Sequence, residues 1–85
     1  MSPTELQLLA LYRAPVIRLD CISKQYFNLS PAEAARSAAL NDLPVPAFRL
    51  RESTRAPLMV RVQELAQYID SLAEAAAESH ERSKL

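Results

Sequence analysis

No glycine occurs in the 85 residues of this chain, and that absence limits what it can become. Phosphate-cradling P-loops, dinucleotide-binding fingerprints and nucleophile elbows all need backbone that only glycine accommodates, so the sequence excludes them. The length suits one domain, expected over 1–85, because two hydrophobic cores would not fit. Hydrophobic residues make up 49% and charged residues 24%, enough for a modest core in a chain that stays in solution.

The remaining chemistry is equally narrow. One cysteine and one histidine cannot build a closed zinc site or a disulfide. His80, the only imidazole, lies in a polar tail, and no nucleophile with a neighbouring base can be named, so an enzyme is not expected. No cofactor and no metal are expected. The apolar runs are only a few residues long, too short to span a bilayer, and no basic leader precedes one. The expectation is a cytoplasmic, nucleoid-associated chain.

Proline and capping residues set out the order of elements. A short helix over 4–13 carries Leu6, Leu9 and Ala10 at helical spacing, with Thr4 as its cap and Pro15 as its end. Residues 16–19 read as a β-branched strand. Asp20 then caps a helix over 21–27, within which Cys21 is expected to be a small buried apolar group. Asn28 and Leu29 make a tight connection to Ser30-Pro31-Ala32-Glu33, which matches a capping box with proline at the first helical position. This second helix runs to about residue 40, where Asn41 can take the left-handed conformation that closes it. Two short helices joined this closely have helix-turn-helix geometry.

Two prolines keep 43–46 extended. Residues 47–51 alternate apolar and basic, which points Phe48 and Leu50 inward and Arg49 and Arg51 outward. After a polar loop over 52–57, residues 58–62 return as the second strand of a hairpin with an arginine-bearing tip. A last helix over 63–82 buries Leu65, Tyr68, Ile69 and Leu72. Beyond residue 73 its apolar side is only alanine, so 73–85 is expected to project or fray.

Ten basic and ten acidic residues cancel overall but are unevenly spread. Residues 13–61 hold eight cations against four carboxylates, a net +4, and residues 62–85 hold two against five, a net −3. A basic middle backed by an acidic helix suits a polyanion surface. A solvated surface with incidental clustering explains the same charges, and a pI near 6.6 is low for a nucleic-acid binder.

The fold class expected from this order is α+β, a winged helix-turn-helix: a short N-terminal helix, the helix pair, a two-stranded wing and a C-terminal helix. Such an architecture lays a helix in the major groove of double-stranded DNA and brings a hairpin to phosphates or the adjacent minor groove. The second helix is expected to turn Ala32, Glu33, Arg36, Ser37 and Leu40 outward, and Ala34, Ala35, Ala38 and Ala39 toward the core. The expected DNA-binding residues are Lys24, Gln25, Ser30, Arg36 and Ser37 on the helix pair and Arg49, Arg51, Ser53, Thr54 and Arg55 on the wing. Each also has a plain reading as solvated surface, and Glu33 is a capping residue.

From Leu6 to about Ala77 the chain resembles the pyocin activator protein PrtN family of bacterial and prophage regulators. The stretches that carry the resemblance are LLALY at 8–12, VIRLDCISKQYFNLSPAE at 16–33, LPVPAFRL at 43–50 and VQELAQYID at 62–70. It implies a small DNA-binding activator, akin to phage excisionases whose winged helices bind repeated sites, bend DNA and direct site-specific recombination. Family members tend to carry several lysines on the second helix, where this chain has Arg36 with Glu33, Ser37 and four alanines. They also often carry glycine near that helix end and in the wing. The thinner basic face implies weaker single-site binding and self-association on tandem sites, with the acidic C-terminal helix against a neighbour's basic middle. The alternative from another class is a protein-binding module, an antirepressor or a partner of an integrase or phage repressor, favoured by the near-zero net charge.

Overall fold

The computed structural model describes residues 1–83. Its elements are α1 (Pro3–Tyr12), β1 (Val16–Arg18), α2 (Leu19–Phe27), α3 (Pro31–Ala39), β2 (Phe48–Arg49), β3 (Leu58–Arg61) and α4 (Val62–Ser83). The architecture is α+β, with four helices and a small antiparallel sheet in the order β1-β3-β2. The expected two-stranded hairpin is therefore part of a three-stranded sheet. Val16, Ile17 and Arg18 pair with Arg61, Val60 and Met59, while Phe48 and Arg49 pair with Met59 and Leu58 on the other side of β3. The Val62 amide donates to the Pro15 carbonyl at 2.9 Å, carrying the β1–β3 pairing up to the start of α4.

Without glycine, the left-handed turns fall to Arg13, Asn28 and Asn41, with φ between 54° and 56°. Asparagine tolerates this region because its short side chain bonds locally. Asn41 and Asp42 close α3 in a Schellman pattern, their amides donating to the carbonyls of Ala38 and Ser37. The capping box at its other end is complete: the Glu33 amide donates to Ser30 Oγ and the Ser30 amide to Glu33 Oε1, both at 3.2 Å. Those bonds hold the Glu33 carboxyl below its ordinary range.

Two expected caps are corrected. Ser2, not Thr4, caps α1 by accepting the Glu5 amide, which puts Pro3 at the first helical position. Thr4 Oγ1 donates instead to Asp70 Oδ1 at 2.5 Å, bracing α1 against α4. At α2 the helix already starts at Leu19, and Arg18 takes the Asp20 carboxylate at 2.8 Å, so Asp20 is not the cap. The Arg18 bond depresses the Asp20 pKa and raises that of Arg18.

The core joins Leu8 of α1, Ile17 of β1, Leu19 and Ile22 of α2, Ala34 of α3, Val60 of β3, and Val62, Leu65 and Ala66 of α4. Val45, flanked by two prolines, is buried with them and anchors the otherwise irregular 43–46 segment. Half-buried Phe27 and Tyr68 rings meet at 5.6 Å in a tilted pair. Tyr12 donates to the Tyr26 hydroxyl at 3.4 Å. Burial first, then that bond, pushes the Tyr12 phenol up to about 12.

Three apolar assignments are also corrected. Leu6 is exposed, because α1 faces α4 through Leu8, Leu9 and Tyr12. Leu72 is 54% exposed, because α1 begins opposite Asp70 and, among the described residues, every position of α4 from 71 on is exposed. Cys21 is exposed, and the buried small position on α2 is Ser23, whose Oγ has no hydrogen-bond partner. A buried hydroxyl without a partner costs stability, and alanine also favours a helix over serine. Ser23→Ala should therefore raise stability by about 1 kcal/mol, read as a higher midpoint in urea unfolding with an unchanged slope.

Candidate nucleic-acid interface

Helix α3 begins at a fixed point because Pro31 presets its first turn and the Ser30–Glu33 box satisfies its free amides. It packs on α2 through Ala34, which is fully buried, and Ala38, which is half-buried. The opposite side carries Ala32, Glu33, Arg36 and Leu40, all exposed, with Ser37 half-buried beside them. Ala35 and Ala39 do not turn into the core as expected. They are exposed and line an open groove of roughly 520 Å³ whose other wall is the hairpin: Phe48, Arg49, Arg51, Ser53, Thr54 and Leu58. The reason is geometric: a nine-residue helix packed along one edge leaves its flank open where the hairpin stands off from it.

The hairpin is shorter than the alternation of residues 47–51 suggests. Pairing stops after Arg49, so Leu50 no longer follows an in-out pattern and lies 67% exposed. Arg49 Nε donates to the Ala56 carbonyl at 3.1 Å, bridging the two ends of the loop. Within the loop the Ser53 amide donates to the Arg51 carbonyl at 2.8 Å, and the Arg55 amide donates to Ser53 Oγ at 3.2 Å. These bonds shape the tip while Arg51, Thr54 and Arg55 stay exposed. Asp20, Pro31, Ala35 and Arg49 line a smaller adjoining hollow that links the start of α3 to the hairpin base.

The charges sort by partner. Of the eight cations in residues 13–61, Arg18 is paired with Asp20 at 2.8 Å and Arg61 with Glu64 at 3.7 Å. Among the described residues, Arg36, Arg49, Arg51 and Arg55 have no carboxylate within salt-bridge distance. α3 and the hairpin thus hold unneutralised guanidinium groups, with Glu52 as an acidic member of the groove wall. Lys24 and Gln25 are exposed on α2. Ser30 Oγ already accepts the Glu33 amide, so its role in the fold is the cap. Leu40 faces outward as the sequence reading expected, 78% exposed, whereas that reading missed the groove's apolar lining of Phe48 and Leu58 and the exposure of Leu50. No periodicity announces either, since both follow from where pairing and helix end.

No three histidine, cysteine or carboxylate residues cluster into a metal-binding group among the described residues. Among the same residues, no helix is long and apolar enough to cross a membrane. A family model described as "Pyocin activator protein PrtN" matches residues 4–76. Comparison with curated proteins and with solved structures gave no match.

Proposed function

The chain belongs to the pyocin activator PrtN family, whose members are regulators and not enzymes, and we propose on that premise that it is a DNA-binding transcriptional activator acting through a winged helix-turn-helix. In this reading α2 and α3 form the helix pair, with α3 as the groove helix, and the β2–β3 hairpin is the wing. The observation that carries it is the shared groove of α3 and the hairpin, flanked by arginines that have no carboxylate partner among the described residues. A helix of this size enters the major groove, and guanidinium groups beside it reach phosphates or a narrow minor groove. Arg36, at the centre of the exposed face of α3, is the base reader, forking onto a guanine. Arg49, Arg51 and Arg55 carry the phosphate contacts, joined by Ser53 and Thr54 at the tip and by Lys24, Gln25, Ser30 and Ser37 along the helix pair. The same face serves an excisionase equally well, since that role also needs only bound and bent DNA.

Binding to a duplex, followed by fluorescence anisotropy, should weaken steeply with salt, with a log–log slope of roughly −0.9 for each phosphate contacted. Affinity that does not change with salt would contradict the proposal. Arg36→Ala should cost about 1–3 kcal/mol on a selected site and little on random duplex, because it removes base reading and leaves the phosphate contacts.

A second reading, a module that binds a repressor or integrase, draws on the exposed Leu40 and Leu50 and the alanine-lined groove. Contiguous exposed apolar surface is more typical of protein interfaces. A mobility shift with DNA flanking the encoding gene, with and without competitor, separates the two readings.

A further inference from the structure

Among the described residues, the outer part of α4 has no packing partner. Every residue from 71 to 83 is exposed, and the Thr4–Asp70 bond marks where α1 stops covering the helix. Thirteen residues of helix reach roughly 20 Å beyond that point. A helix of this length is marginal in water without tertiary contact, so a surface that covers it would stabilise it.

Its charge is one-sided. Glu74, Glu78 and Glu81 follow at spacings of four and three, which places them on one face. Leu72, Ala76 and Ser79 lie on the opposite face. Arg82 bonds Glu78 at 3.5 Å, but both side chains are more than two-thirds exposed, and such a pair is weak. The complement is on the same molecule: Arg36, Arg49, Arg51 and Arg55, without carboxylate partners among the described residues. Within one chain the two are not joined: α4 is one continuous helix starting directly after β3, and among the described residues Glu74, Glu78 and Glu81 pair only through the Glu78–Arg82 bond.

We propose that the acidic face of α4 beyond Asp70 docks on the arginine-bearing hairpin of a second copy of this chain, and that DNA displaces it. The basic middle and the acidic helix attract between copies, and the zero net charge adds no overall repulsion. The same guanidinium groups cannot hold carboxylates and phosphates at once, so self-association and DNA binding compete, and this contact replaces the side-by-side assembly on tandem sites expected from the sequence. The contact is small and polar, and is of the weak, transient kind. The docking stands on charge and exposure alone; only the competition rests on the DNA reading.

Sedimentation velocity on the full chain tests it, at roughly 50 mM and 500 mM salt, where screening differs several-fold. The comparison variant is Glu74→Gln/Glu78→Gln/Glu81→Gln, which keeps good helix formers at exposed positions. The wild type should show a mass above the monomer at low salt that rises with concentration and falls to the monomer at high salt. The variant should be monomeric at both. A random-sequence duplex added at low salt should replace the self-associated species with a protein–DNA complex. The variant should bind that duplex roughly threefold or more tightly, because no competing carboxylates occupy the hairpin. A wild type that stays monomeric at low salt, or a variant that associates as the wild type does, overturns the proposal. Association lost in the variant, with no duplex complex from either protein, upholds the docking and removes the DNA function.

Discussion

Arg49→Glu together with Arg51→Glu should lower affinity for every duplex tested, cognate or random, by roughly 100- to 1,000-fold near 100 mM salt. Each reversal removes a phosphate contact and adds a like-charge repulsion of about 1 kcal/mol in water at contact distance. The log–log salt slope should become shallower by about 1.8, two contacts at 0.9 each. Both residues are exposed, so the fold should survive, and a thermal melt within a few degrees of wild type would confirm it. The uniformity of the loss matters most. A loss restricted to one sequence would make these arginines base readers and move the phosphate contacts elsewhere.

Leu65→Ala should have the largest effect on stability. Leu65 is fully buried on the first turns of α4, where it packs with the core side chains of the sheet and α2. Truncating a leucine in such a site costs about 2–5 kcal/mol through lost burial and the cavity left behind. That is a large part of the total for a domain of this size, and the melting temperature should fall by roughly 10–30 °C. Leu72→Ala, seven residues later on the same helix, should change stability by less than about 0.5 kcal/mol. The contrast locates the end of the core. Equal losses at the two positions would mean that α4 is covered along its length.

The acid side of stability follows from the depressed carboxyl groups. Asp20 and Glu33 have folded pKa values below their ordinary ones, Asp20 chiefly through the Arg18 bond and Glu33 chiefly through Ser30. Their contributions are therefore present above the ordinary carboxylate range and are lost as pH falls through the folded values. Tyr12 works in the opposite direction. Its folded pKa of about 12 lies above the ordinary 10.0, so its contribution is complete below 10 and disappears as pH rises toward 12.

The parts of the fold readable in the sequence are those decided within a few residues. The Ser30–Glu33 box, the left-handed Asn41 and the break at Asn28–Leu29 each depend on local backbone chemistry, and each stands where expected. Choices between neighbouring capping residues were harder. Ser2 and Thr4 compete for one role, and a bond to Asp70, 66 positions away, decides it. Asp20 reads as a cap in the sequence, but Arg18 takes its carboxylate. The third strand was hidden for a different reason. β1 pairs with β3 some forty residues later, and nothing within Val16–Arg18 names that partner. Of the candidate interface, the arginine positions were readable and the groove between them was not. Leu50 and Ala39 face outward because of where a strand and a helix stop packing, a tertiary fact that alternation and helical periodicity do not encode.

In the proposed function α3 and the hairpin contact DNA together. Amide chemical shifts of the full chain, followed while a short duplex is added at low salt, test it residue by residue. Perturbations should concentrate at 24–25, 30–37 and 49–55, with α1 and the outer part of α4 little changed beyond the release of self-association. Shifts confined to α1 and α4, or a spectrum unaltered by excess duplex, would contradict it.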